Sequence, residues 1–334
     1  MGYLFGKELG YRSGMRRFLL ALAIVSQPVT GWAQEAADHP GAGAPAEKQA
    51  TFRSGVDLVT VSAAVRDNKG RLVTNLTKQD FEVIDRGERR AINEFRSERA
   101  PLSLAILFDV SGSMDVADRT TAARFAAFHL LSSLDEGRDE AGLFAFDSRL
   151  REVAPFTVDT RALKGALGEV DPFGATSLHD AISAAAERVA TRPMARRAVV
   201  VLTDGIDTSS LLTPAQVSAT AAAIDVPVYI IATVLPIDDP GSDRATPGSQ
   251  RQAPASIGTI EDLARWTGGA LHYSSTSASA FKAARAVIDE LRHLYLIAFE
   301  PGAAPGWHPL EIRTSQKDFV VRTRGGYVAG PGSR

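Results

Sequence analysis

The chain has 334 residues, a formal net charge of -2 and no cysteine. That length allows more than one compact unit, and the near-neutral balance gives no reason to expect nucleic acid or anionic membrane as the main partner. Lack of cysteine excludes disulfides, thiolate metal sites and cysteine nucleophiles together.

In chain order, Arg16 and Arg17 precede an apolar stretch, Phe18 to Val25, and then the small-residue segment Gly31-Trp32-Ala33. A cationic, apolar, small-residue order predicts a secretory signal peptide over residues 1–33, so the mature product is expected to be periplasmic or secreted. Its apolar part is far shorter than the ~20 residues of a membrane-spanning helix, and no later segment is apolar enough to span a bilayer. Residues 34–50, rich in Ala, Gly, Pro and charge, read as a flexible linker.

From Thr51 to Glu98 short strand patterns take over. Val59, Val61, Ala63 and Val65 alternate with Thr60, Ser62, Ala64 and Arg66, a half-buried strand. Phe81–Ile84 and Ile92–Phe95 flank the polar stretch Asp85 to Arg90, which suggests a hairpin with Arg86, Arg89 and Arg90 at a solvated tip. From Pro101 apolar strands alternate with helical patterns. Leu104–Phe108, Val199–Leu202 and Val226–Thr233 read as strands buried on both faces, Gly142–Phe146 as a further strand and Arg151–Phe156 as an edge strand. Helices are predicted at 117–134, 160–170, 177–190, 214–224, 258–267 and 277–294, with a last strand at Ala270–Tyr273. After Leu294 strands return at Tyr295–Phe299, His308–Arg313 and Phe319–Arg324. Neither flank can bury a sheet face alone, so 51–100 and 295–330 are expected to form one small β-sandwich. The fold class is then α/β: a doubly wound, mostly parallel sheet over 101–294, inserted into that sandwich.

Ligands of open α/β sheets bind at the carboxyl ends of strands, where strand order reverses. Those ends deliver Asp109-Val110-Ser111-Gly112-Ser113, then Gly174-Ala175-Thr176, then Thr203-Asp204-Gly205. Asp109, Ser111, Ser113, Thr176 and Asp204 are thus expected on one edge. Oxygen donors without His or Cys suit Mg²⁺, or Mn²⁺ or Ca²⁺, rather than zinc. Two carboxylates and three neutral hydroxyls leave such an ion with open positions and charge barely compensated, ready for a carboxylate from outside.

Asp109-x-Ser111-x-Ser113, Thr176 and Asp204-Gly205 resemble the metal-ion-dependent adhesion site of von Willebrand factor A domains, over roughly Pro101 to Leu294. The flanks, Leu76–Val83, Phe95 and Val321–Tyr327, are similar to the VWFA-related domain of exported bacterial proteins. The resemblance implies Asp109, Ser111 and Ser113 as direct ligands, and Thr176 and Asp204 as direct or water-mediated ones. A protein partner's acidic side chain would complete the sphere. The expected function is cation-dependent adhesion or protein–protein recognition, with no enzyme activity.

Two alternatives stand beside it. A metal-dependent hydrolase or phosphotransferase would want a proton-transferring carboxylate two positions after Asp109, where Ser111 stands. A metal-free scaffold would interact through its sandwich. Around the site, Ser177 and Asp180 read as a local capping pair, His179 as a surface or packing histidine, and Asp147 and Asp207 as solvated loop carboxylates. The polar loop from Pro236 to Ser256 follows a strand, so it would emerge on the metal's edge and shape partner access; its composition fits plain disorder as well.

Overall fold

Strands that are apolar on every residue can be satisfied only where both faces are covered, and this requirement organises the centre of the chain. The computed structural model describes residues 58–169, 174–223, 225–235, 239 and 255–330. All of them belong to one compact unit, Ser54–Arg334. The predicted signal peptide, the linker and most of the 236–256 loop lie outside the described residues.

In chain order, β1 (Val59–Arg66), β2 (Phe81–Asp85), β3 (Glu88–Arg90) and β4 (Ile92–Arg96) precede the α/β region. There follow β5 (Leu102–Asp109), α1 (Arg119–Ser132), β6 (Glu140–Phe146), β7 (Leu150–Thr157), α2 (Thr160–Ala166), α3 (Leu178–Ala190), β8 (Arg196–Thr203), α4 (Pro214–Ala223), β9 (Val228–Thr233), α5 (Ala255–Trp266), β10 (Leu271–Ser274) and α6 (Ser277–Arg292). The chain closes through β11 (Tyr295–Phe299), β12 (Gly306–Thr314), β13 (Val320–Arg322) and β14 (Gly326–Ala329).

The central sheet has the order β10-β9-β8-β5-β6-β7, parallel except for the antiparallel edge strand β7. Alternate residues of β5 feed two cores. Leu104, Ile106 and Phe108 pack with Ala123, Ala127 and Leu130 of α1 and Ala284, Val287 and Leu291 of α6. Ala105 and Leu107 pack on the other side with Ile182 and Ala185 of α3 and Val217 of α4. Each large side chain so buried stabilises the fold by about 1.5–3 kcal/mol relative to exposure. Strand order reverses at β5, whose two neighbours are β6 and β8, so a crevice opens at the carboxyl ends of β5 and β8.

The flanking strands form two four-stranded sheets, β13-β1-β11-β4 and β14-β12-β2-β3, each mixing strands from before and after the α/β region. Val61, Ala63 and Val65 meet Val83, Tyr295, Ile297, Phe299, Leu310 and Ile312 in a shared core. The opposite face of β1 is solvated at Thr60 but otherwise partly covered. Ala64 joins the α/β core, Ser62 donates to the Asp225 carboxylate at 3.2 Å, and Arg66 reaches Glu290 of α6 at 2.6 Å. Buried Arg196 donates to the carbonyls of Glu98, at 2.6 Å, and Leu294, at 2.9 Å. It thereby ties together the two points where the chain passes between the sandwich strands and the α/β region.

One hairpin differs from expectation. Phe81–Asp85 pairs with Glu88–Arg90 through a two-residue turn at Arg86 and Gly87, both at positive φ, whereas Ile92–Arg96 pairs with β11 in the other sheet. Two consecutive residues at positive φ make the tight primed turn that suits strand twist, so the polar stretch folds on itself. Arg86 and Arg89 are exposed at the tip, as expected, with Arg89 paired to Glu82, whereas Arg90 is half-buried and pairs with Asp85 at 3.3 Å.

Candidate metal centre

Each functional side chain is set by where a strand stops. Asp109 is the last residue of β5 and is fully buried. Its Oδ1 accepts the Ser111 N–H at 2.9 Å and its Oδ2 accepts the Thr203 hydroxyl at 2.5 Å. Both are neutral donors. Burial pushes the carboxyl up to about 6, the hydrogen bonds from Thr203 and Ser111 oppose that, and the nearby Asp204 charge adds to it.

Ser111 and Ser113 place their hydroxyl oxygens 3.0 Å apart at the start of the 3₁₀ turn that leads into α1. Asp204 follows the last residue of β8 and is buried. Its Oδ1 accepts the Ile206 N–H at 3.2 Å and its Oδ2 accepts Arg119 Nη1 at 2.9 Å. Gly205 sits at φ 83, a conformation that lets the loop turn back immediately after the aspartate.

The third loop arrives by backbone. Gly174, at φ 99, presents its carbonyl to the Gly112 N–H at 3.0 Å, which brings the Thr176 loop against the Ser111–Ser113 segment. Thr176 is buried, and its backbone is held by Thr208 and Ser209. Its hydroxyl makes no hydrogen bond to the other four residues. Asp109, Ser111, Ser113 and Asp204 are therefore linked by direct contacts or charge, while Thr176 is linked to them through the Gly174–Gly112 bond.

The neighbourhood differs from several expectations. Ser177 makes no side-chain cap; its hydroxyl lies 2.8 Å from that of Ser209. The first N–H groups of α3 are instead satisfied by Asp207 and Ser210 from the loop after β8, and Asp180 accepts from Leu211 and Leu212. A loop carrying its own carboxylate and hydroxyl competes for the helix start better than the local pair. Asp207 is thus a cap, and buried His179 sits 2.9 Å from it. Burial lowers the His179 pKa, against the charges of Asp207 and Asp180. Asp147 holds the same loops by backbone, its carbonyl accepting the Ser177 N–H at 2.7 Å.

Two further residues act at the site, Thr203 and Arg119, neither of which the sequence pattern assigns a role. Thr203 has a sequence signal, because a hydroxyl is conspicuous after Val-Val-Val-Leu, and it follows Leu202, which pairs with Phe108 beside Asp109. Arg119 carries no such signal, being one arginine of many on a helix.

The donors fit a hard cation. Among the described residues no group of three or more His, Asp or Glu side chains converges, so an ion here would depend on hydroxyls beside the two carboxylates. Asp109, buried against neutral donors alone, is the carboxylate with most to gain from such an ion.

Residues 104–206 match the family model of the von Willebrand factor type A domain, and the chain carries a domain of that family. Among solved structures it is similar to a von Willebrand factor type A protein from Catenulispora acidiphila, with 14% identity over 83% of this chain and 76% of that one and a TM-score of 0.45. It is also similar to the conserved hypothetical protein BatB of Bacteroides thetaiotaomicron, with 22% identity over 57% of this chain and 98% of that one and a TM-score of 0.45. A third is the PilB minor pilin of Streptococcus sanguinis, with 12% identity, 59% and 63% coverage and a TM-score of 0.43. No curated protein matches in sequence.

Proposed function

We propose that this protein is an exported, divalent-cation-dependent binding module that recognises a protein partner through an acidic side chain. Asp109, Ser111 and Ser113 would hold Mg²⁺, or Mn²⁺ or Ca²⁺, with Thr176 and Asp204 contributing directly or through water. The ion would supply open coordination positions and positive charge at the crevice. The chain's own part is to orient donors: Thr203 and the Ser111 N–H fix the Asp109 carboxylate, and the Gly174–Gly112 bond holds the third loop near it. The observation that carries this reading is a fully buried carboxylate with only neutral donors, set at the point where strand order reverses. Export rests on the N-terminal pattern of Arg16-Arg17 and the apolar segment behind it. Among the described residues no helix is long and apolar enough to cross a membrane.

A pull-down from the native envelope, with and without chelator, tests the proposal. Capture that disappears with EDTA and returns with Mg²⁺ is the expected result. Capture indifferent to EDTA would favour the metal-free scaffold, a reading supported by the internal cation that already faces Asp204.

A further inference from the structure

We infer that Arg119 is an internal counter-cation that competes with the divalent ion for Asp204 and thereby sets the metal affinity of the site. The inference rests on the metal reading above. Arg119 opens α1, and its Nη1 lies 2.9 Å from Asp204 Oδ2 and 3.3 Å from the Ser113 carbonyl oxygen. It therefore touches two of the three loops that carry the proposed ligands.

Its hold is weak compared with that of the structural arginines. Arg192 grips Glu140 with two nitrogens, at 2.9 and 2.7 Å, and Arg292 spans Asp135, Asp139 and the Ser133 carbonyl. Arg119 donates from one nitrogen, and its Nε is buried without an acceptor. A guanidinium in the first turn of a helix also meets the positive end of the helix dipole, so Asp204 must hold it there. The Arg119 side chain is 21% exposed and that of Asp204 2%, so the arginine can withdraw to the rim while the carboxylate stays.

Charge decides the consequence. Two carboxylates and one guanidinium leave the site net negative, and a divalent ion reverses the sign. Like charges a few ångströms apart repel strongly where water is excluded, so the ion must displace Arg119 from Asp204 or share the carboxylate with it. At the rim, Arg119 would add to the positive field that an acidic partner meets.

The test is calorimetric titration of the purified chain with Mg²⁺ and with Mn²⁺, for wild type, Arg119→Gln and Arg119→Met, with Arg119→Lys as the charge control. Either neutral variant, folded by circular dichroism, should bind the ion about tenfold more tightly than wild type. It should also melt at a lower temperature without metal, because Asp204 loses its counter-ion. Arg119→Lys should stay within about threefold of wild type. Unchanged or weaker binding by the neutral variants would overturn the role of Arg119 while leaving the metal site intact, and so would an equal gain in the lysine variant. Binding by neither wild type nor any variant would overturn the metal reading and this inference with it.

Discussion

Thr203 donates its hydroxyl to Asp109 at 2.5 Å across the β5–β8 pair, and the same oxygen accepts the Gly205 N–H at 3.0 Å. One side chain thus aims the Asp109 carboxylate and shapes the loop that begins with Asp204. Thr203→Val keeps the shape and removes both bonds. The expected outcome is a loss of about 1–2 kcal/mol in urea unfolding. Metal affinity should fall about tenfold or more, because an outer partner that orients a ligand is gone. Unchanged titration of Mg²⁺ by this variant would count against the orienting role.

Asp109→Ala removes the buried carboxylate on which the proposed centre turns. Metal binding by calorimetry should be lost while far-ultraviolet circular dichroism stays native. Because that carboxylate is buried against neutral donors, the metal-free variant should be no less stable than wild type by more than about 1 kcal/mol. A variant that still binds the ion with wild-type affinity would remove Asp109 from the site.

Glu290 joins the layers. It is buried in α6, where its Oε2 takes Arg66 of β1 at 2.6 Å and its Oε1 takes the Tyr229 hydroxyl of β9 at 2.8 Å, with Arg322 of β13 also paired to it. Burial raises the Glu290 pKa, but the Arg322 and Arg66 charges outweigh it and leave the value lowered. Glu290→Gln strands two partly buried arginines and should cost about 3–5 kcal/mol, read as a drop in the urea midpoint. A loss below about 1 kcal/mol would show that the cluster is not a clamp.

His272, on β10 beside this cluster, gives a pH dependence. Burial lowers its pKa to about 4; Glu290 opposes the shift, and Arg322 and Arg66 add to it. Its Nε2 is buried without a partner. The unfolded chain takes up this proton near 6.5, so stability is full above that pH and declines as pH falls from about 6.5 to about 4. The contribution is on the order of 3 kcal/mol. His272→Gln should flatten unfolding free energy between pH 7 and pH 5, and an unchanged slope would reassign the effect to other groups.

The fold was legible wherever local pattern and burial agree. The runs Leu104–Phe108 and Val199–Leu202 are apolar at every position, which only a twice-covered strand tolerates, and both stand in the central sheet. Ile92–Phe95 looks like a partner for Phe81–Ile84 in sequence, but a turn at Arg86-Gly87 closes sooner. The caps of α3 differ for a related reason: Ser177 and Asp180 are close in sequence, yet Asp207 and Ser210 reach the helix start from the loop after β8.

Order and spacing of oxygen-bearing residues sufficed, from the sequence by itself, to nominate Asp109, Ser111, Ser113, Thr176 and Asp204, because strand ends are local features. Only the tertiary structure decided their surroundings. That Thr203 aims Asp109, that Arg119 faces Asp204 and that Gly174 anchors the Thr176 loop are long-range pairings, set when strands distant in the chain come to lie side by side.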